Sequence, residues 1–399
     1  MLSTAASTWD AIVVGGGPAG STAAWNLARR GARVLVLDAA RFPRVKLCAG
    51  WVTPAVWQAL ELAPADYPHT LQPFSRVTLA LDAEVRETCW DTTAGYGIVR
   101  SEFDAHLLER ARRAGATVRE GARVDDLDLH DRRMVVRSGG LEDTAPLVIG
   151  AGGHHCPVAR RFGAIATEEA VVVARESETH VGAAVLRGLT PRHGTPELFV
   201  EPDFRGYGWT FTKGDFLNVG IGALTSGRDL HARCDRMVER LHADGRLPAS
   251  LEIQPFKGHA YAIQTSHPRR IAGPGFLLAG DAAGLARGIS GEGIGPAIES
   301  GLLAARAVAE HGSDAPGAYP HLLRSRLRHG RQSALGRLAD RLPHAWVEHA
   351  ARCVVGSAAL RRRWILEGAF GMRPSHATAV RDQAQMSTGA ATWRETTHE

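Results

Sequence analysis

Cysteine, lysine and long apolar runs are all scarce in this chain of 399 residues. The five cysteines lie far apart and form no CxxC pair: Cys48, Cys89, Cys156, Cys234 and Cys353. We therefore expect neither a disulfide framework nor a metal site. No stretch approaches the roughly 20 apolar residues that span a bilayer, and residues 1–10 lack the features of a signal peptide. These absences predict a cytoplasmic protein.

Positive charge is carried almost entirely by arginine, because Lys46, Lys213 and Lys257 are the only lysines among 47 basic residues. The formal net charge is +5, and arginine is concentrated between Arg324 and Glu367. Such a segment is typical of a solvated helical face, and the alternative is peripheral contact with an anionic membrane. Nucleic acid is not an expected partner.

Strands and helices alternate at the start of the chain and predict a parallel sheet. Apolar runs at Ala11–Val14 and Val34–Leu37 flank a helical stretch from Pro18 to Arg30. Between about Val171 and Leu224, β-branched and aromatic residues alternate with polar ones, which is typical of an antiparallel sheet. A buried strand returns at Phe276–Ala279, so the antiparallel sheet is predicted to be an insertion.

The first strand ends in a GxGxxG motif made by Gly15, Gly17 and Gly20, and Asp38 closes the second strand. The glycines permit a tight turn, a close approach of backbone to pyrophosphate, and contact between helix and strand. The helix N-terminus favours phosphate. Asp38 would accept hydrogen bonds from an adenosine ribose and would repel a 2′-phosphate. Together these residues predict a dinucleotide site.

A second glycine-rich passage, Gly275–Gly301, favours FAD over NAD. It places Gly280 and Asp281 after an apolar strand, where the carboxylate can bind the ribityl hydroxyls of a flavin. A helix predicted from Pro296 would direct its positive N-terminus towards the flavin ring. Further predicted cofactor contacts in this passage are Gly291, Gly293 and Ile294.

The predicted fold is α/β, with a Rossmann-like FAD-binding domain, an inserted antiparallel β-sheet substrate domain and a C-terminal helical segment. The FAD-binding domain is discontinuous and comprises residues 1–70, 96–170 and 265–312. The β-sheet substrate domain comprises 71–95 and 171–264, and the helical region comprises 313–399.

These motifs, with KLCAGWVTP at Lys46–Pro54, resemble those of the geranylgeranyl reductase family, within the aromatic hydroxylase (class A flavoprotein monooxygenase) fold group. The resemblance covers about Asp10 to Gly312. The family signature YxWxFPx7GxG is matched by Tyr207, Trp209, Phe211, Gly220 and Gly222. Thr212 replaces its proline.

The resemblance implies an FAD-dependent oxidoreductase that reduces carbon–carbon double bonds of an isoprenoid or other apolar substrate, by hydride transfer from N5 of reduced flavin. Tyr207, Trp209 and Phe211 would line the substrate channel, with Tyr207 and Trp209 also near the reacting atoms. Packing within the core is the alternative for Trp209 and Phe211. A polyprenyl lipid is one expected substrate.

Three further residues receive roles from the resemblance. Cys48 would donate a proton to the alkene or only tune the pocket. Lys46 would place a positive charge near the flavin phosphates or ring. Arg100 would contact FAD, and its alternative is an exposed position at a helix start.

Other chemistries remain open at this stage. Gly152 stands where hydroxylase relatives carry an acid, which weakens a simple NADPH-dependent hydroxylase interpretation. The alternatives are a flavin monooxygenase that hydroxylates or epoxidises an apolar substrate, and an accessory protein that binds flavin without turnover. The WxWxIP signature of flavin halogenases is absent. NADPH, NADH or another external donor would supply electrons.

Overall fold

The computed structural model describes residues 7–374, except for 83, 166–168, 170, 190–192, 205, 224–226, 249, 264–268 and 328–343. Much of the arginine-rich segment and the whole of 375–399 lie outside the described residues. Peripheral membrane contact through that region stays a prediction. No helix within the described ranges combines the length and apolarity that crossing a bilayer requires.

A six-stranded sheet lies at the centre of one half of the folded molecule, and its strands come from two separate parts of the chain. Its strands lie in the order Ala272–Gly273, Phe276–Leu278, Val148–Gly150, Ala11–Val14, Val34–Asp38 and Thr117–Glu120. All neighbours are parallel except the first pair. Helices Pro18–Ala28, Arg100–Arg113 and Ile294–His311 pack together beside it. The predicted α/β fold is confirmed.

Glycines shorten two of the predicted elements. The first helix ends at Ala28 rather than Arg30, and Gly31 follows at a φ of +89°. The residue pattern also predicts a strand over Val118–Val124, whereas the observed strand is Thr117–Glu120, because Gly121 takes a φ of +69°. A positive φ breaks both helical and extended geometry.

A seven-stranded sheet forms the second half. Its order is Lys257–Ala262, Val171–His180, Phe216–Ala223, Gly206–Lys213, Glu197–Val200, Arg76–Leu81 and Glu84–Cys89. It is antiparallel as predicted, except that Glu197–Val200 and Arg76–Leu81 run parallel. Helix Gly227–Ala243 packs its apolar side against one face through residues such as Leu230, Met237 and Leu241.

Smaller elements join these halves. A three-stranded sheet contains Trp51–Val52, Gly95–Ile98 and Leu71–Phe74, and a four-stranded sheet contains Ser7–Thr8, Leu141–Ala145, Arg133–Ser138 and Asp126–His130. The remaining helices are Pro54–Ala59, Pro157–Arg161, Ala183–Leu189, Ala315–Leu327, His344–Gly356, Ala358–Leu360 and the π-helical Arg361–Ala369. The domain limits given above stay a prediction.

Candidate active site

The first glycine-rich turn leaves no room for side chains. Gly15 has a φ of +109°, and a Cβ there would lie 2.4 Å from the carbonyl oxygen of Ala151. A Cβ on Gly20 would lie 1.8 Å from the carbonyl oxygen of Gly15. Gly17 caps the helix that begins at Pro18. The three glycines of the motif therefore sit in one compact strand-to-helix turn, as the GxGxxG spacing requires.

Asp38 ends its strand beside this turn. Its Oδ2 accepts a hydrogen bond of 2.6 Å from the Gly16 amide, and its Oδ1 accepts one of 2.8 Å from the Ala40 amide. The carboxylate therefore stabilises the turn from the position expected of a ribose acceptor. Its contact with the ribose stays a prediction.

The second glycine-rich turn lies against the first. Gly280 has a φ of +62°, its amide donates to Ser300 Oγ at 2.9 Å, and a Cβ there would lie 3.2 Å from the Cβ atoms of Ala19 and Ala297. A Cβ on Gly301 would lie 2.3 Å from the carbonyl oxygen of Ala19. The two helices that leave these turns thus touch backbone to backbone.

Arg269 fixes the turn that contains Asp281. Its buried guanidinium donates to the carbonyl oxygens of Ala282 at 3.1 Å and His154 at 3.2 Å, and pairs with Glu169 at 2.5 Å. Arg269 belongs to no motif that would mark it in the sequence. The structure shows that it joins the turn to the segment around His154.

The helix after the second turn begins at Ile294, which corrects the predicted start at Pro296. Glu292 explains the earlier start, since its Oε1 accepts a 2.9 Å hydrogen bond from the Gly295 amide. Its other oxygen lies 2.7 Å from Arg287 Nε. Burial raises the pKa of the Glu292 carboxyl. Gly291 and Gly293 are therefore the last two glycines before the helix N-terminus.

The chemistry of these two turns fits FAD. Gly15, Gly20 and Gly280 form a cradle that any Cβ would fill, while Asp38 and Asp281 place carboxylates at the ends of strands in the same sheet. Two helix N-termini start at this cradle and favour the anionic pyrophosphate and the electron-rich edge of a reduced flavin. The residues present thus match the groups that a flavin dinucleotide presents.

An apolar cavity of about 570 Å³ opens beyond the second turn. It lies on the face of the seven-stranded sheet opposite helix Gly227–Ala243. Predicted site residues that line it are Cys48, Tyr207, Trp209, Phe211, Gly291, Gly293 and Ile294. The structure therefore brings the predicted flavin-ring contacts and the aromatic strand into one space.

Trp209 is held across the sheet by two neighbours. It pairs in register with Gly220, where a Cβ would lie 2.2 Å from its ring. Its Nε1 donates to Asn218 Oδ1 at 2.7 Å. The glycine of the GxG part of the signature therefore provides the space that the tryptophan ring fills.

Other rings continue this wall. Phe211 contacts Trp51 and Phe74 edge to face, with centroids 5.9 and 5.5 Å apart. Tyr207 donates its hydroxyl hydrogen to the carbonyl oxygen of Ser290, and its ring lies 5.4 Å from Phe370. Phe211 is 3% exposed yet lines the cavity, so it belongs to both the core and the cavity wall, and its contact with substrate stays a prediction.

The C-terminal helical region completes the cavity. Ala351, Val354, Val355, Ile365 and Phe370 line it from that side. The sequence of this region does not indicate a role in the site, because its apolar residues follow ordinary helical spacing. Its contact with the sheet is a tertiary feature.

Cys48 and Arg100 meet at the polar end of the cavity. The Cys48 amide donates to Glu176 Oε1, and Cys48 Sγ accepts from the Gly50 amide at 3.4 Å. Arg100 contacts the Cys48 side chain and forms two 2.8 Å hydrogen bonds with Asp104. Arg100 is 7% exposed, so the alternative of an exposed helix-start arginine is wrong.

Two lysines shape the electrostatics of this end. Lys213 is fully buried, donates to the Ala49 carbonyl oxygen at 3.0 Å and pairs with Glu178. Lys46 is half-buried near His259. Burial lowers the pKa of the His259 imidazole to about 3, and the charge of Lys46 adds to the effect. His259 is therefore neutral near pH 7.

Comparison with known proteins identifies the family. The family model described as FAD binding domain matches residues 8–318. The chain belongs to the FAD binding domain family. This FAD binding domain protein is an FAD-dependent oxidoreductase, and the predicted cofactor and the resemblance to geranylgeranyl reductases are confirmed.

Several relatives of this FAD binding domain protein carry reductase names. Menaquinone reductase of Mycolicibacterium smegmatis is 30% identical over 345 residues, covering 80% of this chain and 81% of the relative. Digeranylgeranylglycerophospholipid reductase of Thermoplasma volcanium is 28% identical over 327 residues, covering 75% and 77%. A solved geranylgeranyl bacteriochlorophyll reductase-like structure from Thermoplasma acidophilum has a TM-score of 0.74 at 22% identity, covering 91% and 96%.

Glu176 of this FAD binding domain protein lines the site although no sequence motif predicts it. It is 2% exposed and lines the cavity beside Cys48. It lies in the strand Val171–His180, where it could have been noticed as an acid within a β-branched run. Nothing in the sequence indicated that its side chain faces the apolar space.

Proposed function

We propose that this flavoprotein reduces carbon–carbon double bonds in the isoprenoid chain of an apolar lipid. The relatives named above are reductases of menaquinone and of a digeranylgeranyl glycerophospholipid, and both molecules carry isoprenoid chains. Their names support the substrate class, while the cavity supports it independently.

The cavity is the observation that carries the proposal. Its walls are aromatic and aliphatic, as hydrocarbon chains require. At one end it meets Gly291, Gly293 and Ile294, the predicted contacts of the flavin ring. Trp209 and Phe370 form part of the remaining wall. An alkene that enters this space is therefore held out of water and beside the cofactor turn.

The chain's own residues orient the substrate. Bound FAD supplies hydride when it is reduced. Tyr207 is fixed by its hydrogen bond to Ser290, and Trp209 by its bond to Asn218, so both rings present rigid faces to a ligand. Because these rings are already ordered, binding a substrate costs little additional side-chain entropy of the protein.

The test is an anaerobic reaction of the photoreduced, FAD-loaded protein with menaquinone and with a digeranylgeranyl lipid. Saturation of a side-chain alkene gives a product two mass units heavier that stays heavier after exposure to air. Reduction of the quinone ring also adds two mass units, but air restores the original mass. Permanent gain supports the proposal, and a gain that air reverses, or no gain with either lipid, contradicts it.

Monooxygenase activity is the alternative chemistry. The fold alone does not distinguish a monooxygenase from a reductase. Labelled oxygen distinguishes them, because a hydroxylated or epoxidised product carries the label. If flavin reoxidation requires oxygen and the product is labelled, the reductase proposal is wrong. If neither lipid nor oxygen yields product, the accessory role without turnover is favoured.

A further inference from the structure

Glu176 is a buried carboxyl group that faces the cavity with one oxygen unsatisfied. Its Oε1 accepts from the Cys48 amide, whereas no hydrogen-bond partner for Oε2 exists among the described residues. A buried acceptor without a partner is destabilising, because it loses its hydrogen bonds to water and gains none in return. Such a group in an otherwise apolar cavity calls for a functional explanation.

The surroundings of Glu176 favour its neutral, proton-bearing form. Burial raises the pKa of this carboxyl from 4.5 to about 7; Lys213 opposes that rise, and Glu178 adds to it. The titratable and charged groups that face or neighbour it are Cys48, Arg100, Glu178, Lys213, Lys257, His259 and Tyr261. Near pH 7 the group can therefore both carry and release a proton.

Neighbouring groups are less suited to donate a proton. Burial keeps His259 neutral by lowering the pKa of its imidazole to about 3, and raises the pKa of the Tyr261 hydroxyl well above its ordinary value. Glu292 also lines the cavity, but one of its oxygens binds the Gly295 amide and the other pairs with Arg287. Each acid has one oxygen without a hydrogen bond among the described residues, but that of Glu292 lies 2.7 Å from Arg287 Nε, whereas that of Glu176 forms no ion pair there.

Cys48 differs from Glu176 in the direction of its hydrogen bonds. Its sulfur accepts from the Gly50 amide and contacts the Arg100 guanidinium, which has only donors. Its amide meanwhile holds Glu176 Oε1 in place. The geometry therefore suits Cys48 to position Glu176.

We propose that Glu176 is the proton donor of this site, supplying the proton that accompanies hydride addition to an apolar double bond. This inference rests on the proposed function. The alkene π bond breaks, one carbon gains a C–H bond from the hydride, and the other gains a C–H bond from the Glu176 carboxyl. The alkene gains two electrons, the bound reduced flavin loses two, and Glu176 becomes a carboxylate that water reprotonates.

Single-turnover reduction across pH 5–9 is the first test, with the FAD-loaded protein. Glu176→Gln removes the proton while keeping the shape, so the rate should fall at least about 100-fold. The wild-type rate should decline above about pH 7, and Glu176→Gln should not show this decline. Glu176→Asp should recover part of the rate, because it restores an acid. Glu84→Gln, on the exposed edge strand, is the control and should match wild type.

Glu178→Gln is a matched variant on the same strand. It removes a negative neighbour that raises the pKa of Glu176, so the decline in rate should move to lower pH. The reduction rate of Cys48→Ser should depend on pH as that of the wild type does, whatever its absolute value. If Cys48→Ser abolishes the pH dependence while Glu176→Gln retains it, Cys48 is the donor and the inference is wrong.

Infrared titration gives a readout without turnover. In the oxidised, substrate-free holoenzyme, the carboxylic acid C=O band of wild type should lose intensity near pH 7, and Glu176→Gln should lack that change. The two proposals fail separately. If wild type reduces no alkene, the proposed function is wrong whatever the infrared result. If wild type reduces an alkene and Glu176→Gln reacts normally, or its band change is intact, only the inference is wrong.

Discussion

The two large sheets use glycine for different purposes. In the six-stranded sheet, Gly15, Gly20 and Gly280 remove side chains so that backbone can form a narrow turn beside a cofactor. In the seven-stranded sheet, Gly220 lacks a side chain, so the ring of Trp209 can lie across it. One half is therefore a site made by backbone, and the other is a site made by side chains.

This difference predicts that the halves can be damaged independently. A change in the backbone turns should weaken FAD binding, whatever the substrate. A change in the cavity should alter ligand selection or proton chemistry while FAD stays bound.

Gly20→Val should weaken FAD binding by about 100-fold or more, since even a Cβ would lie 1.8 Å from the Gly15 carbonyl oxygen. Overpacking of this kind costs about 1–3 kcal/mol or more, and 1.4 kcal/mol is about tenfold in affinity. Flavin absorbance after desalting and FAD titration measure it. Gly317→Ala is the control, because a Cβ there meets nothing within 4 Å. Normal FAD affinity in Gly20→Val would contradict the backbone interpretation.

Glu176→Gln should change how stability depends on pH. The carboxyl holds its proton up to about pH 7 when folded, against about 4.5 when unfolded. Its contribution is therefore present at low pH and is lost as pH rises through that interval, by about 3 kcal/mol in total. Chemical denaturation of wild type and variant at pH 4.5 and 8 measures the difference. Parallel pH profiles would show that Glu176 titrates normally.

Asp281→Ala should weaken FAD binding by about 10- to 100-fold, as expected for loss of a charged hydrogen-bond acceptor. Asp281→Asn keeps an acceptor oxygen, so its FAD affinity should fall less than that of Asp281→Ala. Isothermal titration with FAD separates the two variants. A protein that stays yellow after Asp281→Ala and desalting would exclude the predicted ribityl contact.

Gly220→Ala should weaken binding of long apolar ligands by about tenfold, because its Cβ would lie 2.2 Å from the Trp209 ring and displace it. Trp209→Ala should likewise affect long ligands more than short ones. FAD affinity should be unchanged in both variants. Gly258→Ala, on an adjacent part of the sheet with ordinary 3.7 Å contacts, is the control. If short and long ligands were weakened equally, the prediction that Trp209 lines the substrate channel would be wrong.

Sequence patterns predicted the elements whose signals are local. The GxGxxG turn, Asp38 and the Gly280–Asp281 turn lie where their motifs indicate, since glycine at a required φ or close contact is visible in the sequence itself. The predicted start of helix Ile294–His311 was two residues too late, because Glu292 satisfies the Gly295 amide. Capping by a side chain just outside the helix is a local effect that glycine and proline patterns obscure.

Local motifs are sufficient to predict an FAD cradle, an antiparallel sheet inserted in the chain and a row of aromatic residues. Three features became visible only in the folded protein: Glu176 faces the cavity, Arg100 is buried against Asp104 and Cys48, and Phe370 lines the cavity. These features could not be predicted because the residues in contact are far apart along the chain. Local motifs fix backbone conformation, whereas these contacts join segments far apart in sequence, and the direction of each side chain depends on how whole sheets pack.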